Sequence, residues 1–146
     1  MEEDKLALGP LFAAVVESSV EVPTCDVLMM YAKVESDGKV AGVAAGLRDI
    51  IRKSGAAIVV AASENDGKNY ALAGRRTGYG QANLVLTLRR NGVAFTRFFA
   101  QLFGRMFEGK SMLLAWVELA PQIPGKTHEN CPESIFTAEI SHIIFK

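Results

Sequence analysis

The sequence predicts an α/β fold: a three-layer Rossmann-like or flavodoxin-like domain, with a mostly parallel sheet of about five strands and helices on both faces. Three observations predict it. Between Cys25 and Ser63 an apolar run, an amphipathic stretch and a second apolar run follow one another, which reads as strand, helix, strand. The second run, residues 56–62, holds no polar side chain, and a strand apolar on both sides needs cover on both faces, the habit of parallel sheets. A third apolar run at 82–88 precedes a second helical period, so the unit repeats.

Residues 1–24 are an N-terminal helix and edge segment. Gly9-Pro10 predicts a short helix over 11–19 with Pro10 in its first turn, where the missing amide hydrogen costs nothing. Residues 20–23 alternate and end on Pro23, which suits an edge strand. Residues 25–35 form a buried strand that stops at Ser36-Asp37-Gly38. From 40 to 54 the apolar spacing changes to Val43, Leu47, Ile50 and Ile51, one helical face, with Arg48, Asp49, Arg52 and Lys53 opposite. Gly42 and Gly46 each cost such a helix about 1 kcal/mol relative to alanine, which a close approach of its backbone to a neighbour would offset. Gly55 fits the left-handed position past the helix end, and a right-handed crossover returns the chain to the second strand.

Residues 63–69 are loop by composition, rich in side chains that bond their own backbone. Residues 70–73 read as one helical turn, and 74–81 as a second loop. The whole 63–81 segment is longer than a compact domain tolerates without a purpose, so function is sought there first. After the third strand, Arg89-Arg90-Asn91-Gly92 leads into the clearest helical period of the chain: Phe95, Phe98, Phe99, Leu102, Phe103 and Met106. With Phe107, that helix carries five of the eight phenylalanines. Residues 111–119 read as a fourth strand and 134–145 as a fifth, a helix after Pro132 being the competing reading of the last.

The chain of 146 residues predicts a single domain, 1–146. Sixteen basic and sixteen acidic residues cancel, so the basic excess that phosphate neutralisation demands is missing and no nucleic-acid partner is expected. Cys25 and Cys131 are too few and too far apart for a disulfide framework, and both are expected reduced. The opening Met1-Glu2-Glu3-Asp4-Lys5 is acidic where a secretory signal is basic, and no run approaches the ~18 apolar residues of a membrane span. These features predict a soluble, cytoplasmic protein without a membrane partner.

In an open parallel sheet, ligands bind beyond the carboxyl ends of the strands, where strand order reverses. The candidates there are Glu35 and Asp37 after the first strand, Ser63, Glu64 and Asn65 after the second, Arg89, Arg90 and Asn91 after the third, and Glu118 and Gln122 after the fourth. Converging carboxylates Glu35, Glu64 and Glu118 can hold magnesium or raise one another's pKa for acid–base work. Arg89 and Arg90 precede a helix start, where backbone amides favour an anion. Gly78-Tyr79-Gly80 lacks the spacing of a nucleotide fingerprint; as a closing loop it offers Tyr79 as lid and Arg75 and Arg76 as charge. His128 and Cys131 are two of the several ligands a zinc site needs. Catalytic signatures of the Ser-His-Asp, kinase, hydrolase-elbow and Cys-x-x-Cys kinds are absent.

The expected function is therefore a non-catalytic module that binds a small anionic ligand or a protein partner, as a homodimer. Its ligand-binding residues are Ser63, Asn65, Arg75, Arg76, Tyr79, Arg89, Arg90 and Gln122, with no resident metal and no named cofactor. The alternative is a small hydrolase or transferase acting through Glu35, Glu64 and Glu118 with Mg2+.

Overall fold

Apolar runs rich in Val, Ile and Leu bury their side chains by pairing into one open sheet, as a computed structural model of the chain describes for residues 1–18, 21–43, 45–69, 81–90, 92–120, 132–140 and 142–145. The chain divides into two compact units. One comprises Val16–Arg89 and Ser134–Ile140 and holds the sheet; the other comprises Met1–Val15, Arg90–Glu133 and Ser141–Lys146 and is helical.

Four strands are described, β1 (Val27–Met30), β2 (Ile58–Ala61), β3 (Asn83–Arg89) and β4 (Glu133–Ala138), in the spatial order β1-β2-β3-β4. β1 and β2 pair in parallel, as do β2 and β3, with rungs Leu28↔Val59↔Leu84 and Met30↔Ala61↔Leu86. β4 runs the other way. Its far end is tied to the start of β3 by the Ile140 N–H, which donates to Asn83 Oδ1 at 2.9 Å, while Ile135 and Leu88 meet over Gly67 at the opposite ends of their strands. The result is an α/β fold on a mixed sheet. Among the described strands the order β1-β2-β3-β4 contains no reversal.

Those two rungs turn one sheet face toward α1's successor in the chain, the helix α2 (Leu47–Ser54), α1 being Glu2–Leu8. Val59, Ala61, Leu84 and Leu86 form a core with Leu47, Ile50 and Ile51, and Leu28 and Met30 pack against it. The other face carries Ile58, Val60 and Val85, all fully buried as well. Helix α2 starts seven residues later than its apolar spacing predicts. Gly42 adopts φ +78° in a turn, Val43 is exposed, and Gly46 is the extended N-cap, so both glycines serve the turn and not a helix interior. Gly55 closes the helix in the left-handed conformation, its N–H donating to Ile51 O. Arg48, placed by spacing on the solvent face, is buried.

In the helical unit, α1 passes into a 3-10 turn, Gly9–Leu11, with Pro10 at its start. The expected helix over 11–19 is not found: Phe12 is already extended, and residues 13–18 are irregular. Residues 21–24 form no strand. Helix α3 (Val93–Phe107) follows the phenylalanine period, with Phe95, Phe98, Phe99, Leu102, Phe103 and Met106 all buried.

Residues 111–119 are not a strand but the helix α4 (Met112–Leu119). Ser111 caps it, Oγ accepting from the Leu114 N–H, and Met, Leu and Ala are strong helix formers with only one β-branched residue among them. This removes one of the five expected strands. The last expected strand is shorter than 134–145: β4 ends at Ala138, Ile143 O accepts the Met112 N–H at 2.9 Å, and the Phe145 ring lies tilted against that of Phe107 with 4.5 Å between centroids. The helical turn expected at 70–73 lies outside the described residues. Among the described residues no helix is long and apolar enough to cross a membrane.

Candidate functional site

Because β1, β2 and β3 are parallel, the segments that follow them start from one edge of the sheet. The chain after β1 makes a tight turn in which Gly38 N–H donates to Glu35 O and Gly38 takes φ +82°, and Val34 bridges Val40 across it. The chain after β2 is strapped to that turn by two asparagines. Asn65 Oδ1 accepts from the Val34 N–H at 2.8 Å, and Asn69 Nδ2 donates to Val34 O at 2.9 Å, so one residue has both backbone groups satisfied by side-chain amides. Asn65 Nδ2 also donates to Ser63 O and to Thr87 O, and its backbone N–H donates to Thr87 O as well. Asn65 thereby joins the turn that follows β1, the segment leaving β2 and the C-terminal half of β3.

That arrangement spends on structure much of what the sequence offers for binding. Asn65 has both ends of its amide engaged. Glu35, Asp37, Glu64 and Arg89 are exposed, Asp37 bonding the Lys39 N–H and pairing with its ammonium at 3.7 Å. Ser63 is half-buried, with its carbonyl taken by Asn65. Arg75, Arg76, Tyr79, Asn91, Gln122, His128 and Cys131 lie outside the described residues. Among the described residues, no three His, Cys, Asp or Glu side chains are grouped closely enough to hold a metal ion.

Arg90 belongs to the helical unit and has a buried partner. Its Nη2 donates to Asp4 Oδ2 at 2.9 Å and its guanidinium sits 4.2 Å over the Phe95 ring. Asp4 is 1% exposed and also accepts from Thr96 Oγ1 at 2.6 Å, with the chain's amino group at 3.6 Å. A carboxylate removed from water needs such partners. The sequence shows Asp4 only as one acid in a run of three, with nothing to single it out.

Glu118, expected at a strand end beside Glu35 and Glu64, lies on α4 in the other compact unit. Arg105 Nη1 donates to one of its oxygens at 2.6 Å, and Lys110 Nζ to both at 2.7 and 2.9 Å. The Lys110 hydrogen bond, ahead of the one from Arg105 and against some desolvation, holds the Glu118 carboxyl below the usual carboxylate range. Cys25 is half-buried; burial, with the Asp26 charge second, pushes its thiol up, away from the reactive thiolate. An open groove of about 310 Å³ in the helical unit is lined by Glu3, Ala7, Val93, Thr96, Arg97 and Ala100, and contains none of the expected site residues.

The feature that spacing did not reveal is the outer face of α4. At 100° per residue, Met112, Ala115, Trp116 and Leu119 share one side, and the first three are buried. The opposite side carries Leu113, Leu114, Val117 and Glu118, and the three aliphatic side chains are 40%, 50% and 53% exposed. The signal was present as an apolar run with no polar stripe, which is ambiguous between strand and helix. Comparison with protein-family models, with curated proteins and with solved structures gives no match to this chain, so its own geometry carries the functional reading.

Proposed function

We propose that this chain is a non-catalytic module that binds a protein partner through the outer face of α4. The observation that carries the reading is the exposure of Leu113, Leu114 and Val117 side by side on a helix whose inner face is already packed. A surface helix of a solitary protein normally turns a polar stripe outward, and clustered exposed aliphatics mark interaction sites.

The anionic-ligand form of the module has less support, since Arg90 neutralises Asp4 and Asn65 is bonded at both ends. The alternative, a hydrolase or transferase using Glu35, Glu64 and Glu118 with Mg2+, is weakened by the two cations already on Glu118. We further infer a single three-layer, Rossmann-like domain, supported by the burial of both faces of β2, and a cytoplasmic setting, supported by two widely spaced cysteines.

Two measurements test this reading. At high dilution the chain is expected to bind the apolar dye bis-ANS, and the Leu114→Glu/Val117→Glu variant, of unchanged circular dichroism, to lose that binding. The melting temperature is expected to ignore magnesium, manganese and phosphate. Dye binding that survives in the double variant removes the α4 face from consideration, and a metal-induced rise in melting temperature abolished by Glu64→Gln would hand the case to the enzyme.

A further inference from the structure

We propose that Asp66-Gly67 is a site of spontaneous backbone modification, at which the aspartate isomerises to isoaspartate and releases the strap between the segments that follow β1 and β2. The tripeptide Asp-Gly-Lys occurs twice, at 37–39 and 66–68, once on each of the two segments that Asn65 and Asn69 tie together. Both copies hold the aspartate alike: Asp37 Oδ1 accepts the Lys39 N–H at 3.0 Å, and Asp66 Oδ1 accepts the Lys68 N–H at 2.9 Å. Each carboxyl is thus folded along the chain past the glycine nitrogen that follows it. A glycine has no Cβ to hinder that nitrogen as it approaches the carboxyl carbon.

The reaction needs only water, which it releases and takes back. The Gly67 nitrogen bonds to Asp66 Cγ, and its hydrogen leaves with the hydroxyl of the protonated carboxyl as water, closing a succinimide ring. Water then opens the ring. Addition at Cγ restores aspartate, whereas addition at the former peptide carbonyl frees that carbon as a carboxylate and routes the main chain through Cβ and Cγ.

The fold treats the two copies differently. A nitrogen whose hydrogen is bonded and buried gives that hydrogen up only after the backbone opens locally. Gly38 is held in this way: it is buried at φ +82°, and its N–H donates to Glu35 O at 3.0 Å. Gly67 is exposed beside an exposed Asp66, and its N–H makes no hydrogen bond among the described residues.

The consequence is local to the strap. Asn65 and Asn69 flank the site and hold the two backbone groups of Val34 at 2.8 and 2.9 Å. Isoaspartate lengthens the main chain between them by one atom, and turns the Asp66 carbonyl that accepts the Asn69 N–H into a charged carboxylate. Their spacing is lost, and the Val34 N–H, on a residue only 2% exposed, becomes open to exchange.

The test is to age the folded chain near neutral pH and digest it with trypsin. Peptides Val34–Lys39 and Ser54–Lys68 report the two copies separately, because isoaspartate alters retention without altering mass and electron-transfer fragmentation locates it. Isoaspartate is expected to accumulate at least about tenfold faster at Asp66 than at Asp37 in the folded chain, and at similar rates at both in urea. Gly67→Ala, whose new Cβ stands 3.8 Å from the nearest side chain, Leu88, and Asp66→Glu, which would have to close a larger ring, are both expected to stop it without lowering the melting temperature. Val34 hydrogen exchange should quicken in the aged wild type and stay unchanged in aged Gly67→Ala. Equal accumulation at both aspartates in the folded chain, none at Asp66, or accumulation undiminished in both variants overturns the site. Isoaspartate at Asp66 with Val34 exchange unchanged overturns the release of the strap.

Discussion

Arg89 and Arg90 are neighbours of identical chemistry, and the fold gives them different tasks. Arg89 ends β3 with its side chain exposed, while Arg90 neutralises the buried Asp4 carboxylate and lies over Phe95. Removing one partner of a buried pair strands the other charge away from water. Arg90→Ala is therefore expected to cost on the order of 3 kcal/mol in urea denaturation, against less than about 1 kcal/mol for Arg89→Ala; equal costs would disprove the buried role. Glu118 allows a prediction with a definite sign. Its folded pKa lies below its unfolded one, so the stabilisation from Lys110 and Arg105 is present above the unfolded value and fades as pH falls through the folded value. Carboxyl NMR titration should place Glu118 below an unpaired glutamate, and Lys110→Met should raise it. Neither role could be read from the chain, because a charge acquires its partner from a residue brought near by folding: 86 positions away for Arg90.

At the scale of elements, what was legible is what repeats. The phenylalanine helix and the Gly55 stop were recoverable because a 3.6-residue period and a left-handed cap are local features. Helix α4 was not, since Met-Leu-Leu-Ala-Trp-Val has no polar stripe to show a period, and the Ser111 cap with Leu and Met propensity tipped it away from strand. Arg48 was misplaced for a related reason: its neighbours are solvated, but its Nη1 donates to Glu139 Oε1 at 2.6 Å, with the two side chains only 10% and 5% exposed. That pair ties α2 to the segment leaving β4. Arg48→Met alone is expected to cost about 3–5 kcal/mol, and Arg48→Met/Glu139→Leu to recover most of it, because burying two apolar groups is cheaper than burying one lone charge. A double-mutant cycle by chemical denaturation reads the coupling; a double variant as unstable as the single would refute it.

For the molecule as a whole, the candidate site shifted from where the sequence looked to where the packing left surface uncovered. The polar strand ends were legible as a group, since parallel strands gather their termini, and β1, β2 and β3 are indeed parallel. Their availability was not legible, because Asn65 and Asn69 turn inward to satisfy the backbone of Val34. By itself the sequence determined the α/β class, three parallel strands and two amphipathic helices, since apolar periodicity and turn glycines act over a few residues. Only the tertiary structure decided that β4 runs antiparallel, that α4 is a helix with a bare aliphatic face, and that Arg90, Arg48 and Asn65 are bound internally. The physical reason is that each of those outcomes depends on which distant groups must leave water together.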